Sequence, residues 1–231
     1  MPEPTSPGWL ALVSSPIGNL EDMTFRGVRI LGEADIVAAE DTRRARKLLS
    51  HFELRPARLV SYHMHNERRK TGGLLEQVRR GQRVAVLCDA GTPSIADPGF
   101  LLVREAIADG IEPTVIPGVS ALSFAITACG FPVTECCFAG FLPPKGEKRR
   151  KRLVALAERS PTLILFESPY RINRLLEDIA AALPEATQVA MMREVTKLHE
   201  ETLRGTASEL LERTRERNWK GEFTVAIHRI E

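Results

Sequence analysis

Short apolar runs separated by polar, turn-rich stretches dominate this chain. Trp9–Val13, Ile36–Ala39, 59–61, Arg83–Leu87 and 113–116 are continuous apolar runs of the kind a parallel sheet buries on both faces. Between them 24–31, 44–49, 74–78, Phe100–Ala108 and the stretch ending at Cys129 have helical spacing, with Asp22 placed to cap the first. Strands alternating with helices at this interval predict βαβ units and a parallel sheet. After Gly130-Phe131-Pro132-Val133, which reads as a linker, strands are expected at 138–142, 162–166, 188–192 and 223–230, and helices at 148–158, Ile172–Ala182 and 207–215. Segment 200–204 is placed to pair with the strand before it, and the last strand alternates apolar and polar residues. Neighbouring strands without a long helix between them predict a mixed sheet. The expected fold class is α/β in two domains, a parallel-sheet domain at 1–130 and a mixed-sheet domain at 131–231.

Polar residues gather where the strands end: 15–19, 40–43, 63–67, 89–97 and 118–121. In a parallel sheet those ends lie along one edge, where open α/β sheets bind ligands. Five such loops point to a polar cleft floor. The stretch RVAVLCDAGTPSIADPG (83–99) has the form strand, loop, helix start, and it reads either as a ligand loop carrying Asp89 and Asp97 or as a connection shaped by Gly91, Pro93, Pro98 and Gly99. Asp97 is also placed to cap the helix that follows. Glu40-Asp41 with Arg43-Arg44 reads first as a helix start with its own ion pairs.

Composition narrows the function by exclusion. The 231 residues are 43% hydrophobic and 27% charged with a net charge of +2, so any basic surface must be local. None of the 16 glycines are two positions apart, so there is no G-x-G dinucleotide fingerprint; the P-loop and G-x-S-x-G patterns are absent too. Cys88, Cys129, Cys136 and Cys137 lack C-x-x-C spacing and read as reduced thiols of a cytosolic protein, and the five histidines form no zinc motif, so no metal is expected. The opening residues MPEPTSPG lack the basic start and apolar core of a secretory leader. The uncharged stretch 113–134 is broken by Pro113, Pro117, Gly118, Gly130 and Pro132, which suits strand, turn and helix better than a membrane span. Lys145-Gly146-Glu147-Lys148-Arg149-Arg150-Lys151-Arg152 holds six cations in eight positions, either a solvated helix face or a phosphate-contact surface, and Tyr170-Arg171 could add stacking and charge.

Eight segments resemble one family: SPIGNLEDMTFRG (15–27), AEDTRRARKLL (39–49), DAGTPSIADPG (89–99), IPGVSAL (116–122), GFLPPKGEKRR (140–150), FESPYRI (166–172), REVTKLHEE (193–201) and KGEF (220–223). The chain resembles the tetrapyrrole-methylase superfamily of S-adenosylmethionine-dependent methyltransferases, in the branch that 2′-O-methylates a cytidine ribose in the decoding region of 16S ribosomal RNA. Cys88, where the family usually has Ser, and Met192, where it often has Cys, are small departures. The resemblance implies a two-domain fold with the cofactor folded between the domains, a homodimer and a cytoplasmic location. It places S-adenosylmethionine against Pro16, Asp89, Gly91, Thr92, Ile95, Ser120 and Ala121, with Phe166, Glu167, Met192, Phe223 and Thr224 from the second domain. Small-subunit RNA or the 30S particle is the implied partner.

Methyl transfer to a ribose hydroxyl needs positioning and a proton acceptor. Asp41, Glu194 and Lys197 are the catalytic candidates by polarity and loop position; Lys197 acts as a base only if its amine is neutral, and otherwise holds phosphate or alkoxide. Arg43, Lys145, Lys148, Arg149, Arg150, Lys151, Arg152, Arg171 and Arg193 are the RNA-contact candidates. Rival readings are methylation of a tetrapyrrole or a protein side chain on the same fold, and a non-catalytic RNA-binding module.

Overall fold

The computed structural model describes residues 8–230, so the expectation that MPEPTSPG is no secretory leader falls, but for Gly8, outside the described residues. The chain divides into two compact units between Ser120 and Ala121.

In the first unit the expected alternation is realised: β1 (Trp9–Val13), α1 (Phe25–Glu33), β2 (Ile36–Ala39), α2 (Thr42–His51), β3 (Arg58–Ser61), α3 (Glu67–Arg79), β4 (Arg83–Leu87), α4 (Phe100–Ala108) and β5 (Thr114–Ile116). The strands form one parallel sheet in the order β3-β2-β4-β1-β5. Successive side chains of a strand point to opposite faces. Ala11, Val13, Val37 and Leu87 therefore pack beneath Leu31 of α1 and Leu49 of α2, whereas Leu10, Ile36 and Val84 pack beneath Leu75 of α3 and Leu102 of α4. The cap of α1 is Thr24, whose hydroxyl accepts from the Gly27 N–H; Asp22, the expected cap, ends a 3-10 turn of its own that is capped by Asn19. Helix α3 begins at Glu67, about two turns before its apolar stripe at Leu74. Gly72 and Gly73 weaken the helical pattern there, but Thr71 is fully buried and bonds both the Glu67 carbonyl and the Tyr62 hydroxyl, which holds the turn.

The second unit contains α5 (Ala121–Ala128), β6 (Cys136–Phe141), α6 (Gly146–Ala157), β7 (Thr162–Glu167), α7 (Ile172–Ala182), β8 (Gln188–Arg193), β9 (Glu201–Thr206), α8 (Ala207–Thr214) and β10 (Phe223–His228). Its mixed sheet runs β6-β7-β10-β8-β9, with β6 and β7 parallel and the other neighbours antiparallel. Strand β10 is the central strand, buried on both faces from Phe223 to Ile227, so its sequence alternation does not mark an exposed side. Phe223, Val225 and Ile227 join the core beneath α6, α7 and α8. The opposite face is met by α5, which packs on β10 and β7; this carries α5 into the second unit and moves the boundary from the expected 130 to 120. The uncharged stretch 113–134 becomes β5, α5 and their loops, and no helix among the described residues is long and apolar enough to cross a membrane.

A buried ion pair is part of this core. The Arg149 guanidinium on α6 is buried and donates to the Asp178 carboxylate on α7, to the Pro144 carbonyl and to the Arg174 carbonyl, while Arg150 donates to the other Asp178 oxygen. Removing one partner of a buried pair leaves an uncompensated charge, which costs about 3 kcal/mol or more. Asp178→Ala is therefore expected to lower stability by about 3 kcal/mol, or ~6–12 °C in Tm for a chain of this size, read by urea and thermal unfolding. Lys148→Ala, on the same helix and exposed, is expected to leave both unchanged.

Candidate functional site

Because the five strands of the first unit are parallel, the loops after β1, β2, β3, β4 and β5 all leave the sheet at one edge. The loops after β1 and β4 are joined to each other. The Ser15 and Gly91 backbones exchange N–H···O bonds of 2.8 and 3.0 Å, and the Ser14 and Thr92 hydroxyls lie 2.9 Å apart. The loop after β5 crosses so close to β1 that a Cβ on Gly118 would sit 2.8 Å from the Ser14 Cβ. The loop after β4 is strained: Gly91, Ser94, Ala96 and Gly99 have φ of 78°, 72°, 63° and 140°. Left-handed backbone at Ser94 and Ala96 costs on the order of 1 kcal/mol or more each, and such strain gathers at ligand loops. Beside this loop is a cavity of about 250 Å³ walled by Pro16, Leu20, Ala45, Leu48 and Leu87 and edged by Ser15, Arg44, Lys47 and Asp89.

Asp89 anchors the polar side. One carboxylate oxygen accepts the Asp41 N–H at 2.9 Å and the other faces the Arg44 guanidinium at 3.4 Å. Asp97 lies behind it and does not cap α4, whose cap is Gly99. Burial, reinforced by the charges of Glu40 and Asp89, pushes the Asp97 carboxyl up to about 6 against a weaker pull from Cys88. Burial and Asp89 also raise Glu40. The Cys88 thiol is raised by burial and by Asp97, so it is no thiolate nucleophile. All four cysteines are free.

In the second unit β6, β7 and β8 point the same way, so the loops after Phe141, Glu167 and Arg193 leave one edge, beside the start of β10. Phe166, Thr224 and Met192 stand in register across β7, β10 and β8 as one row. Thr224 and Met192 are buried, and Phe166 is partly exposed. Phe223 belongs to the opposite face, where its ring meets the Trp219 ring edge-on at 5.2 Å and its side chain is part of the core. Glu167 is buried and accepts from the Ser168 N–H and from Arg171, which fastens the loop after β7. The loop after β8 is also strained, with φ of 50° at Glu194 and 66° at Thr196.

The catalytic candidates are all engaged. Asp41 is the N-cap of α2, accepting the Arg43 N–H and two guanidinium bonds from Arg43, whose side chain holds the carboxyl far below its usual range. Glu194 accepts from the Lys197 ammonium at 2.9 Å and from the Glu222 N–H at 3.0 Å; burial pushes its pKa up, but these bonds carry it below the ordinary value. Lys197 also donates to Glu222 at 2.6 Å; burial pulls its pKa down, but the Glu222 and Glu194 bonds raise it overall. Lys197 is therefore a cation, and the neutral amine a base would need is disfavoured.

Three RNA-contact candidates are engaged within the protein, Arg149 buried and Arg171 and Arg193 partly exposed. Arg149 is in the α6–α7 core, Arg171 donates to the Leu142 carbonyl and Glu167, and Arg193 donates to Glu201, the Lys220 carbonyl and the His199 carbonyl. Arg43 is exposed but paired with Asp41. The sequence reading missed the Arg44–Asp89 contact and the Glu40–Asp97 pair, both of which depend on β2 lying beside β4, a neighbour relation that no local motif reveals.

The tetrapyrrole (corrin/porphyrin) methylase profile matches residues 10–211. The chain belongs to the tetrapyrrole methylase family. Within the family it is 44% identical over 220 residues to the ribosomal RNA small subunit methyltransferase I of Halalkalibacterium halodurans, covering 95% of this chain and 75% of that one. It is 40% identical to the enzyme of the same name from Thermotoga maritima, covering 95% and 98%. Among solved structures, the uroporphyrin-III-C-methyltransferase of Thermus thermophilus superposes with TM-score 0.60 at 23% identity, covering 95% of this chain and 94% of that chain. A cobalt precorrin-4 methyltransferase of cobalamin biosynthesis gives 0.64 at 22%, covering 94% and 93%. At those identities the solved structures speak for the fold alone. This tetrapyrrole methylase is a methyltransferase of the small-subunit methyltransferase I branch.

The cleft carboxyls give this methylase a pH signature. Asp97 has its ordinary pKa of 3.8 raised to about 6 on folding. Below the lower value it is neutral in both states; as pH rises through the window the folded state must ionise a carboxyl that the unfolded chain ionises freely, so stability is lost. Asp97→Asn is expected to raise Tm by a few degrees at pH 8, with the gain fading as pH falls toward 4, measured by thermal unfolding across that range.

Proposed function

We propose that the chain transfers a methyl group from S-adenosylmethionine to the ribose 2′-hydroxyl of a cytidine in the decoding region of small-subunit 16S ribosomal RNA, and that it acts as a cytoplasmic homodimer. The observation that carries this reading is the 40–44% identity, over about 95% of the chain, to proteins named ribosomal RNA small subunit methyltransferase I. The named substrate class is theirs; its transfer to this chain rests on shared motifs at the edges of both sheets.

The residues at the first edge suit such a cofactor. The cavity offers an apolar wall at Pro16, Leu20 and Leu48 for a flat ring and the Asp89 carboxylate for hydroxyls or positive charge. Gly91, Thr92 and Ile95 stand on the loop after β4, which the Ser15–Gly91 pairing joins to the loop after β1, and Ser120 stands on the loop after β5. Ala121 begins the second unit, and Phe166, Thr224 and Met192 supply a row there. When bound, the sulfonium supplies an electrophilic methyl group. The chain's own part is to place the ribose hydroxyl in line and to receive its proton.

Lys197, held as a cation, stabilises developing negative charge on the ribose oxygen or binds a neighbouring phosphate. Asp41 and Glu194, both held ionised below their ordinary range, are weak bases that orient Arg43 and Lys197. On this account Lys197→Met lowers kcat with little change in S-adenosylmethionine affinity, whereas Asp89→Asn weakens S-adenosylmethionine binding by about 10-fold or more, the loss expected when hydrogen bonds to a charged group are removed. Isothermal calorimetry and single-turnover methylation of small subunits separate the two. The function itself is tested by mapping ribose methylation in small-subunit RNA from cells with and without the gene. A cytidine 2′-O-methyl mark that depends on the chain is the expected result; label entering a porphyrin acceptor instead would overturn the reading.

A further inference from the structure

The basic run at 145–152 separates into two sets once its partners are known. Arg149 is buried on Asp178, Arg150 bonds the same carboxylate at 3.0 Å, and Lys151 pairs with Glu147 at 2.8 Å. Lys145, Lys148 and Arg152 are exposed and have no ion pair among the described residues. Their spacing of three and four residues puts them on one flank of α6, while Arg150 lies on the flank that faces α7.

Two large aromatic side chains lie at the same end of this unit. Phe141 ends β6 and is 58% exposed; Tyr170, between β7 and α7, is 88% exposed. These two rings share their end of the unit with Lys145, where the free cations begin. The two loops that carry them are fastened together: Arg171 donates to the Leu142 carbonyl at 2.7 Å and to Glu167, itself buried at the end of β7. Phe141 is also steadied from behind, with its ring centroid 5.8 Å from that of Phe166. Lys145, the N-cap of α6, begins the free stripe in the loop that follows Phe141.

We infer that Tyr170 and Phe141 form a stacking platform for unpaired bases, and that Lys145, Lys148 and Arg152 track the phosphates of the same single strand. Single-stranded RNA is the partner that needs both elements, because exposed bases have π faces and the backbone has regular negative charge. A protein partner would need a broader apolar surface than two rings edged by cations. The inference rests on the RNA-acceptor reading and adds to it the surface that holds the strand beside the target.

The test is fluorescence anisotropy with a short, unstructured, fluorescein-labelled oligoribonucleotide over a range of salt, with calorimetry of S-adenosylmethionine binding and sedimentation velocity on each variant. Tyr170→Ala is expected to weaken RNA binding by about 5- to 100-fold, from the loss of one stacked base, with Tyr170→Trp restoring it. Lys148→Ala combined with Arg152→Ala is expected to flatten the dependence of log affinity on log salt by about 0.7 per cation removed. S-adenosylmethionine affinity should stay unchanged in every variant, and Arg150→Ala, made as a control, should leave the salt slope nearly unchanged. If the unaltered protein binds the oligoribonucleotide and Tyr170→Ala binds it equally well, the platform is overturned while the acceptor reading stands. If the unaltered protein binds neither the oligoribonucleotide nor small subunits, both fall. A shift from dimer to monomer in Tyr170→Ala with RNA affinity intact assigns the patch to a second copy of the chain and also overturns the platform.

Discussion

A parallel strand can deliver its chain in one direction only, and much of the chemistry of this molecule follows from that constraint. In the first unit five parallel strands bring five loops to one edge, and the pairing of Ser15 with Gly91 joins two of those loops. The strained backbone at Ser94 and Ala96 is held by what surrounds it: the Ser94 N–H bonds the Pro98 carbonyl and the Ile95 N–H bonds the Thr92 carbonyl. The second unit reaches a similar result by another route. Its sheet is mixed, yet β6, β7 and β8 share a direction and β10 runs back between two of them, so Phe141, Glu167 and Arg193 still end at one edge. Each edge therefore collects residues that are far apart in sequence.

Charge at these edges is mostly committed. Asp41 is bound by Arg43, Glu194 and Glu222 by Lys197, and Glu201 by Arg193 and Arg217. Pairs open to solvent on at least one side, such as Arg43–Asp41, add little to stability, but all of these pairs fix side-chain direction. A carboxylate bound by a cation is a poor proton acceptor, and a lysine between two carboxylates is a poor base. The motif residues that look most reactive in sequence are therefore held in ion pairs that fix where their charge sits. The carboxyls whose proton affinity is raised are Glu40, Asp97 and Glu167, none of them a catalytic candidate by polarity alone.

Legibility in the sequence followed the range of the interaction. Apolar runs located the strands, and Ile172–Ala182 and Phe100–Ala108 were readable end to end because apolar spacing and punctuation agree there. The start of α3 was hidden because Gly72 and Gly73 carry no helical signal, while a single buried threonine supplies what holds the turn. The strand-end loops were legible, and the partners of their side chains were not. Arg149 and Lys148 are adjacent and chemically similar, and one lies inside the protein while the other faces solvent. Only the position of Asp178, on the next helix, separates them.

Proton transfer poses the sharpest remaining constraint on mechanism. On the proposed ribose transfer, an in-line attack by the hydroxyl releases its proton late if the electrophile is strong, so a weak acceptor or water suffices when the developing oxygen charge is stabilised. A cationic Lys197, locked by Glu194 in a left-handed turn against Gly221, is suited to that stabilising part. Gly221 cannot carry a Cβ without striking the Glu194 carboxylate, so the loop before β10 and the loop after β8 are shaped for each other. That fit holds the ammonium in one place without binding energy from substrate. Preorganised charge of this kind acts through position, and on the proposed function it accounts for a loop whose acidic members are tied up and whose lysine never needs to lose its proton.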